Sequence, residues 1–180
     1  MIFRTILHLL RSRFASKLGV HDVGRVRMRV VPTDLDVLGH MNNGVYFSIM
    51  DLGRIDLMIR SGSWSTLRAR GYYPVMGNES ITFRKSLQPW QRFVLESRIV
   101  GYDAKAVYVQ QRFVVDGEIF AEAMTRGRFL KKSGGTVPMA ELGELLGVDV
   151  SALPAPEWVN SWVENVTLPP TREPAPSVWP

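Results

Sequence analysis

The stretch Thr33-Asp34-Leu35-Asp36-Val37-Leu38-Gly39-His40-Met41-Asn42-Asn43-Gly44-Val45-Tyr46 decides how this chain is read. It sets two carboxylates, a glycine turn, a histidine and two asparagines between a strand pattern and a helix pattern. Upstream, residues 24–31 alternate Val26, Met28 and Val30 with arginines, the pattern of a half-buried strand, and Pro32 stops it. Downstream, Val45, Ile49, Leu52, Ile55 and Ile59 recur at helical spacing, which predicts a helix over about residues 44–60. Asn42 or Asn43 is placed to cap its start and Gly62 to end it. An acid at a helix N-terminus sits beside backbone N–H groups that have no partner within the helix, an arrangement suited to chemistry on a carbonyl. The plainer alternative is that Asp36 closes an Asx-type turn with Gly39, that His40 is structural and that Asn42 only caps.

Beyond the helix, residues 63–70 read as a short helical piece, and four strand patterns follow at residues 79–87, 93–100, 106–115 and 119–131. The last three form a meander, turning at residues 102–105 and at the two-residue hairpin signal Asp116-Gly117. One strand, one long helix and four more strands make an α+β domain with the helix against a single curved antiparallel sheet. Gly53, in mid-helix, costs about 1 kcal/mol against alanine, which leaves two readings, close approach by sheet backbone or a tolerated accident. Residues 139–146 give a brief helix. From Leu153 onward the chain holds seven of its eleven prolines, which predicts an extended tail with a helical piece at residues 157–163 anchored by Trp158 and Trp162. The chain thus divides into an arm (1–20), a body (21–148) and a tail (149–180).

At 180 residues and 46% hydrophobic, the chain has material for one well-buried core, and the absence of cysteine removes disulfides, thiolate nucleophiles and cysteine metal sites. The net charge of +5 is local. Residues 1–20 carry Arg4, Arg11, Arg13 and Lys17 and no acid, which leaves 18 basic against 17 acidic residues in the remainder. A nearly neutral body argues against a nucleic-acid partner. In the arm, Ile2, Phe3, Ile6, Leu7 and Leu10 share one helical face, with Arg4, His8 and Arg11 opposite. Three readings compete for it: a helix packed on the body, peripheral membrane contact through residues 1–12, or a targeting segment. No apolar run approaches the roughly 18 residues of a membrane span, so the expected location is cytoplasmic, membrane-peripheral if the arm is so used. There is no GxSxG elbow, P-loop or GxGxxG, and His8, His21 and His40 do not cluster with acids, so no metal is expected.

The stretch from Asp34 to Tyr46 resembles the signature of hotdog-fold acyl thioesterases of the 4-hydroxybenzoyl-CoA thioesterase type, in the thioesterase-superfamily version with His-Met-Asn-Asn. The segments Ile81-Thr82-Phe83-Arg84-Lys85-Ser86-Leu87 and Arg112-Phe113-Val114-Val115-Asp116-Gly117 add to the likeness, which spans roughly residues 24–131. The resemblance implies a hotdog fold, hydrolysis of a fatty or aromatic acyl-CoA, a homodimer, a place in lipid metabolism and no cofactor. It puts the catalytic acid at Asp36, as nucleophile or general base, with His40 beside it and the backbone N–H of Asn43 polarising the thioester carbonyl. Asp34 becomes a supporting group, and Asn42, Tyr46 and Asp51 fall at substrate-binding positions. His40 also matches the histidine of plant acyl-ACP thioesterases, but those carry an asparagine where this chain has Leu38. Arg54, Arg84, Lys85 and Arg92 are candidates for CoA phosphates, or simply a solvated charged face. The alternatives are a non-catalytic acyl-CoA or lipid-binding hotdog protein and a hotdog dehydratase. Acyl length, carrier and oligomeric state beyond dimer stay open.

Overall fold

The computed structural model describes residues 2–170 and 172–178, without the side chains of Ile2 and Phe3, so those two members of the arm's apolar face lie outside the described residues. Helix α1 (Ile2–Phe14) precedes β1 (Gly24–Arg29), the motif loop, α2 (Asn43–Arg60) and α3 (Ser63–Ala69). Strands β2 (Tyr72–Phe83), β3 (Arg92–Tyr102), β4 (Val107–Val115) and β5 (Glu118–Lys131) come next, then α4 (Met139–Leu146) and α5 (Glu157–Val166). All strands pair antiparallel in one sheet of order β1-β3-β4-β5-β2, with α2 laid across one face. This is the α+β arrangement that the order of patterns implied, in the hotdog form that the resemblance implied.

The helix α2 forms where the spacing predicts it, but the ridge it buries against the sheet is rotated from the one read. Ile49 is in the core and Val45 borders it, while Ile55 and Ile59 stay half-buried and Tyr46 and Met50 take their place. Tyr46, Ile49 and Met50 meet Phe93, Leu95, Phe113, Ala121 and Ala123 of the sheet in the main core. Alternation packs β4, whose Val107, Val109, Phe113 and Val115 turn inward. The Asp116-Gly117 turn takes φ of 48° and 83°, the left-handed pair that joins β4 to β5 with the twist of the strands. Gly53 lets α2 approach. A Cβ there would lie 2.5 Å from Leu95 Cδ2, 2.6 Å from Ser97 Oγ and 3.0 Å from Gln111 Nε2. Leu95, Ser97 and Gln111 are all buried and have little room to yield. Gly53→Ala is therefore expected to destabilise the fold by about 1–3 kcal/mol despite alanine's better helix propensity, a loss readable in urea unfolding.

One strand departs from expectation. β2 runs from Tyr72 to Phe83, not over residues 79–87, because it begins directly after Gly71 (φ 72°) and passes through Pro74 and Gly77. Proline is tolerated because β2 is an edge strand, bonded on one side to β5, and Gly77 sits at a register shift between Met76 and Asn78. The residues after Phe83 leave the sheet, with Arg84 N and Lys85 N both donating to Phe120 O. The tail differs in detail too. The helix α5 docks on the opposite face of the sheet through Val159, Trp162 and Val163, against Tyr108 and Met124, while Trp158 points outward.

Helix α1 lies along the outer side of α2 with a constant offset. His8 Nε2 is 3.2 Å from Leu52 O, Ser12 Oγ donates to Asp56 Oδ1 at 2.6 Å, and Arg60 Nε donates to Ser16 O at 2.8 Å. The two helices thus run parallel, meeting along i, i+4 ridges. Burial lowers the pKa of His8, which Asp56 only partly offsets and Arg11 reinforces. A histidine whose folded-state pKa is lowered costs nothing above the unfolded value of about 6.5, and removes stability as pH falls through that value toward the folded one. Wild type should accordingly lose more thermal stability between neutral pH and pH about 5 than a His8→Gln variant, and equal losses would contradict the burial of an uncharged ring.

Candidate active site

The motif loop is a miniature hairpin. Leu35 and Met41 pair across it as an isolated antiparallel bridge, and Asp36 N–H donates to His40 C=O at 2.9 Å. Gly39, with φ of 81°, closes the turn by donating to Asp36 C=O at 3.1 Å. The loop is held from below by Leu87, which is wholly buried and accepts from Met41 N–H at 2.9 Å. Leu87 N–H in turn donates to the hydroxyl of Tyr46 at 3.1 Å. Tyr46, a candidate for binding substrate, thus lies in the core, stacked edge-on against Phe83 and Phe113, and its hydroxyl braces the segment beneath the loop.

Asp36 and His40 are brought together. His40 Nδ1 lies 3.3 Å from Asp36 Oδ2, with both side chains partly open to solvent. The other carboxylate oxygen accepts from Leu38 N–H at 2.8 Å, so the Asx turn weighed from sequence exists, closed on Leu38 rather than on Gly39. This bond fixes the carboxylate and leaves Oδ2 facing the imidazole. Val37 and Leu38 form the exposed apolar tip of the loop. Asn42 is the N-cap of α2, its Oδ1 accepting from Gly44 N–H at 2.8 Å. Asn43 follows as the first helical residue, exposed, and its N–H has no acceptor among the described residues. An acid, an imidazole and an open helix N-terminus can together bind and attack a polarised carbonyl.

Asp34 is a different kind of group. Its side chain is 1% exposed and accepts from both terminal nitrogens of the Arg4 guanidinium, at 3.1 and 2.8 Å, and from Val31 N–H at 3.0 Å. Its C=O accepts from Asn42 N–H at 2.8 Å. The supporting role is thus structural: the arm clamps the root of the loop.

Asp51 lies apart. It stands eight residues beyond Asn43, about 12 Å along the helix axis, exposed and paired with Arg54. Arg54 is buried, donating to Gln111 Oε1 at 2.9 Å and lying 2.7 Å from Glu79 Oε1, so its charge is committed inside the protein and not offered to a phosphate. Burial raises the pKa of Glu79, an effect Arg54 opposes. Gln111 completes the network by donating to Met50 O and Ser97 Oγ, each at 2.9 Å. The sequence held a signal for it, since Gln111 shares the inward parity of Val109 and Phe113. Arg84 and Lys85 both pair with Glu118, and Arg92 is exposed.

An apolar cavity of about 250 Å³ lies away from Asp36. It opens beside Asp51 and Arg54 and runs under the C-terminal half of α2, walled by Leu57, Trp64, Leu67, Ile99 and Phe129. Among the described residues no three His, Cys, Asp or Glu side chains gather at a metal-holding distance, and no helix is long and apolar enough to cross a membrane.

The sequence profile described as the thioesterase-like superfamily matches residues 30–163. The chain is 33% identical over 135 residues to Protein THEM6 of Xenopus laevis, covering 75% of this chain and 64% of that protein. It is 28% identical over 104 residues to a probable thioesterase of Saccharomyces cerevisiae, covering 57% of this chain and 45% of that protein. The chain therefore spans about half to two thirds of the length of these relatives. Among solved structures, the probable thioesterase YbaW of Escherichia coli superposes with a TM-score of 0.64 at 22% identity, covering 68% of this chain and 95% of that one, a likeness of fold.

Proposed function

Because the chain belongs to the thioesterase-like superfamily, we propose that it hydrolyses an acyl-CoA thioester to the free acid and CoA, with Asp36 as nucleophile or general base. The observation that carries this reading is the juxtaposition of Asp36 with His40 in the loop that leads into α2, whose first residue, Asn43, has an N–H without an acceptor among the described residues. The thioester carbonyl would accept from that N–H, and the positive end of the helix would stabilise the oxyanion as it develops. In one route the Asp36 carboxylate attacks, forms a mixed anhydride and expels the CoA thiolate, and water then cleaves the anhydride to acid and carboxylate. In the other, Asp36 takes a proton from an attacking water, and that proton leaves with the thiolate. His40 steadies the carboxylate oxygen that does either. Asn42 and the loop tip Val37-Leu38 flank the reacting group, while Asp51 borders the cavity whose apolar walls suit an aliphatic tail.

We further propose a homodimer formed through β2, a long edge strand bonded on one side only to β5. An unpaired edge invites a second copy to continue the sheet. The light-scattering mass should then be twice that of one chain.

The bond from Leu38 N–H to Asp36 favours a second reading, an acyl-CoA-binding protein in which Asp36 only shapes the loop. Thiol release from a panel of short, long and aromatic acyl-CoAs separates the two. Turnover of any member supports the hydrolase and names its substrate class. Tight binding without turnover across the panel supports the binder. Incorporation of labelled oxygen from water into the enzyme's carboxylate, after cycles of turnover, would mark the covalent route.

A further inference from the structure

The arm docks on the body with the wrong side out for a helix that serves only the core. Its inward ridge is polar: Arg4 grips Asp34, His8 meets Leu52 O, and Ser12 meets Asp56. Its outward stripe is apolar, with Ile6 51%, Leu7 55%, Leu10 50% and Phe14 89% exposed. An amphipathic helix packed for stability alone buries the opposite side. Here the polar groups are already satisfied by the body, so the face presented to the surroundings has no polar function left to perform.

Charge says what covers it. At helical spacing, Arg11 and Arg13 project to either side of the stripe formed by Ile6, Leu7, Leu10 and Phe14, and both are exposed. Lys17 follows just beyond the helix, also exposed, and residues 1–20 contain no acid to oppose these cations. An apolar stripe rimmed by arginine is the chemistry of a helix lying in the plane of a bilayer, its apolar side chains among the acyl chains and its cations at anionic headgroups. We propose that α1 docks this protein onto an anionic lipid surface through Ile6, Leu7, Leu10 and Phe14, with Arg11, Arg13 and Lys17 at the headgroups. Because Arg4 anchors the same helix to the loop that carries Asp36, the docked protein would hold that loop close to the membrane. The inference does not depend on whether the site hydrolyses a thioester.

Co-sedimentation of the full chain with vesicles tests it, comparing equal parts phosphatidylcholine and phosphatidylglycerol with phosphatidylcholine alone. Wild type is expected to bind the mixed vesicles, more weakly as salt is raised, and to bind the neutral ones poorly. A Leu7→Glu/Leu10→Glu variant should lose roughly tenfold or more in affinity for the mixed vesicles. An Arg11→Gln/Arg13→Gln variant should lose roughly tenfold, as expected from two cations near an anionic surface. All four substituted positions are exposed, so circular dichroism melts should match wild type. Failure of wild type to bind the mixed vesicles would overturn the proposal, as would undiminished binding by the leucine variant. A light-scattering mass that drops in the leucine variant without lipid would also overturn it, by showing that a second copy covers the stripe.

Discussion

An Asp36→Asn variant is expected to release thiol from acyl-CoA about 10²–10⁴-fold more slowly than wild type, with its melting temperature little changed. The asparagine oxygen can still accept from Leu38 N–H, so the turn that shapes the loop survives the change. What disappears is the negative oxygen beside His40 Nδ1, the atom proposed to attack the carbonyl or to take the proton of water. An amide is neither a competent nucleophile nor a base at neutral pH, so both routes fail together. The comparison is informative because the two roles of Asp36 reside on different oxygens. Equal turnover by wild type and variant would leave Asp36 with the turn alone, and would move the chemistry elsewhere.

The second large effect is on stability. Arg4→Ala is expected to cost about 3 kcal/mol, the lower end of the range for stripping one partner from a buried ion pair, because Arg4 itself is partly open to water. Asp34 is 1% exposed, and without the guanidinium its carboxylate keeps, among the described residues, only Val31 N–H. The loss should appear as a lower urea midpoint. A double-mutant cycle with Asp34→Asn isolates the pair from other effects of removing Arg4, and a coupling of about 1–3 kcal/mol is expected. Turnover should fall as well, because Asp34 C=O receives Asn42 N–H and so fixes the cap of α2 next to the site. A stable, fully active Arg4→Ala protein would show that the arm is not part of the body's framework.

The parts that were legible in sequence are those governed by local periodicity. The helical period of α2, the alternation in β1 and β3, the Asp116-Gly117 turn and the asparagine cap all report forces acting within a few residues of chain. The misread elements share the opposite property. β2 carries proline and glycine that mark a loop when read locally, yet an edge strand needs hydrogen bonds on one side only, and the bonds to β5 are enough to hold it. Trp158 and Trp162 share a helical face on paper, but the anchor is the face of Val159, Trp162 and Val163, chosen by the sheet below it. The motif was visible as a cluster of functional groups, whereas the division of labour within it was not. Asp34 and Asp36 differ by burial, and Tyr46 points into the core because Leu87, forty-one residues later, supplies a donor for its hydroxyl.

The sequence by itself thus determined the fold class, the position of the candidate acid before the long helix, and the amphipathic nature of the arm, because each is written in spacing and residue type. Tertiary structure alone decided which carboxylate is spent on structure and which stays available, that Arg54 is committed to an internal network, and that the arm turns its apolar side outward. Those outcomes depend on which groups meet across distances of thirty to sixty residues, and the desolvation that such meetings impose on a charge cannot be read from either partner alone.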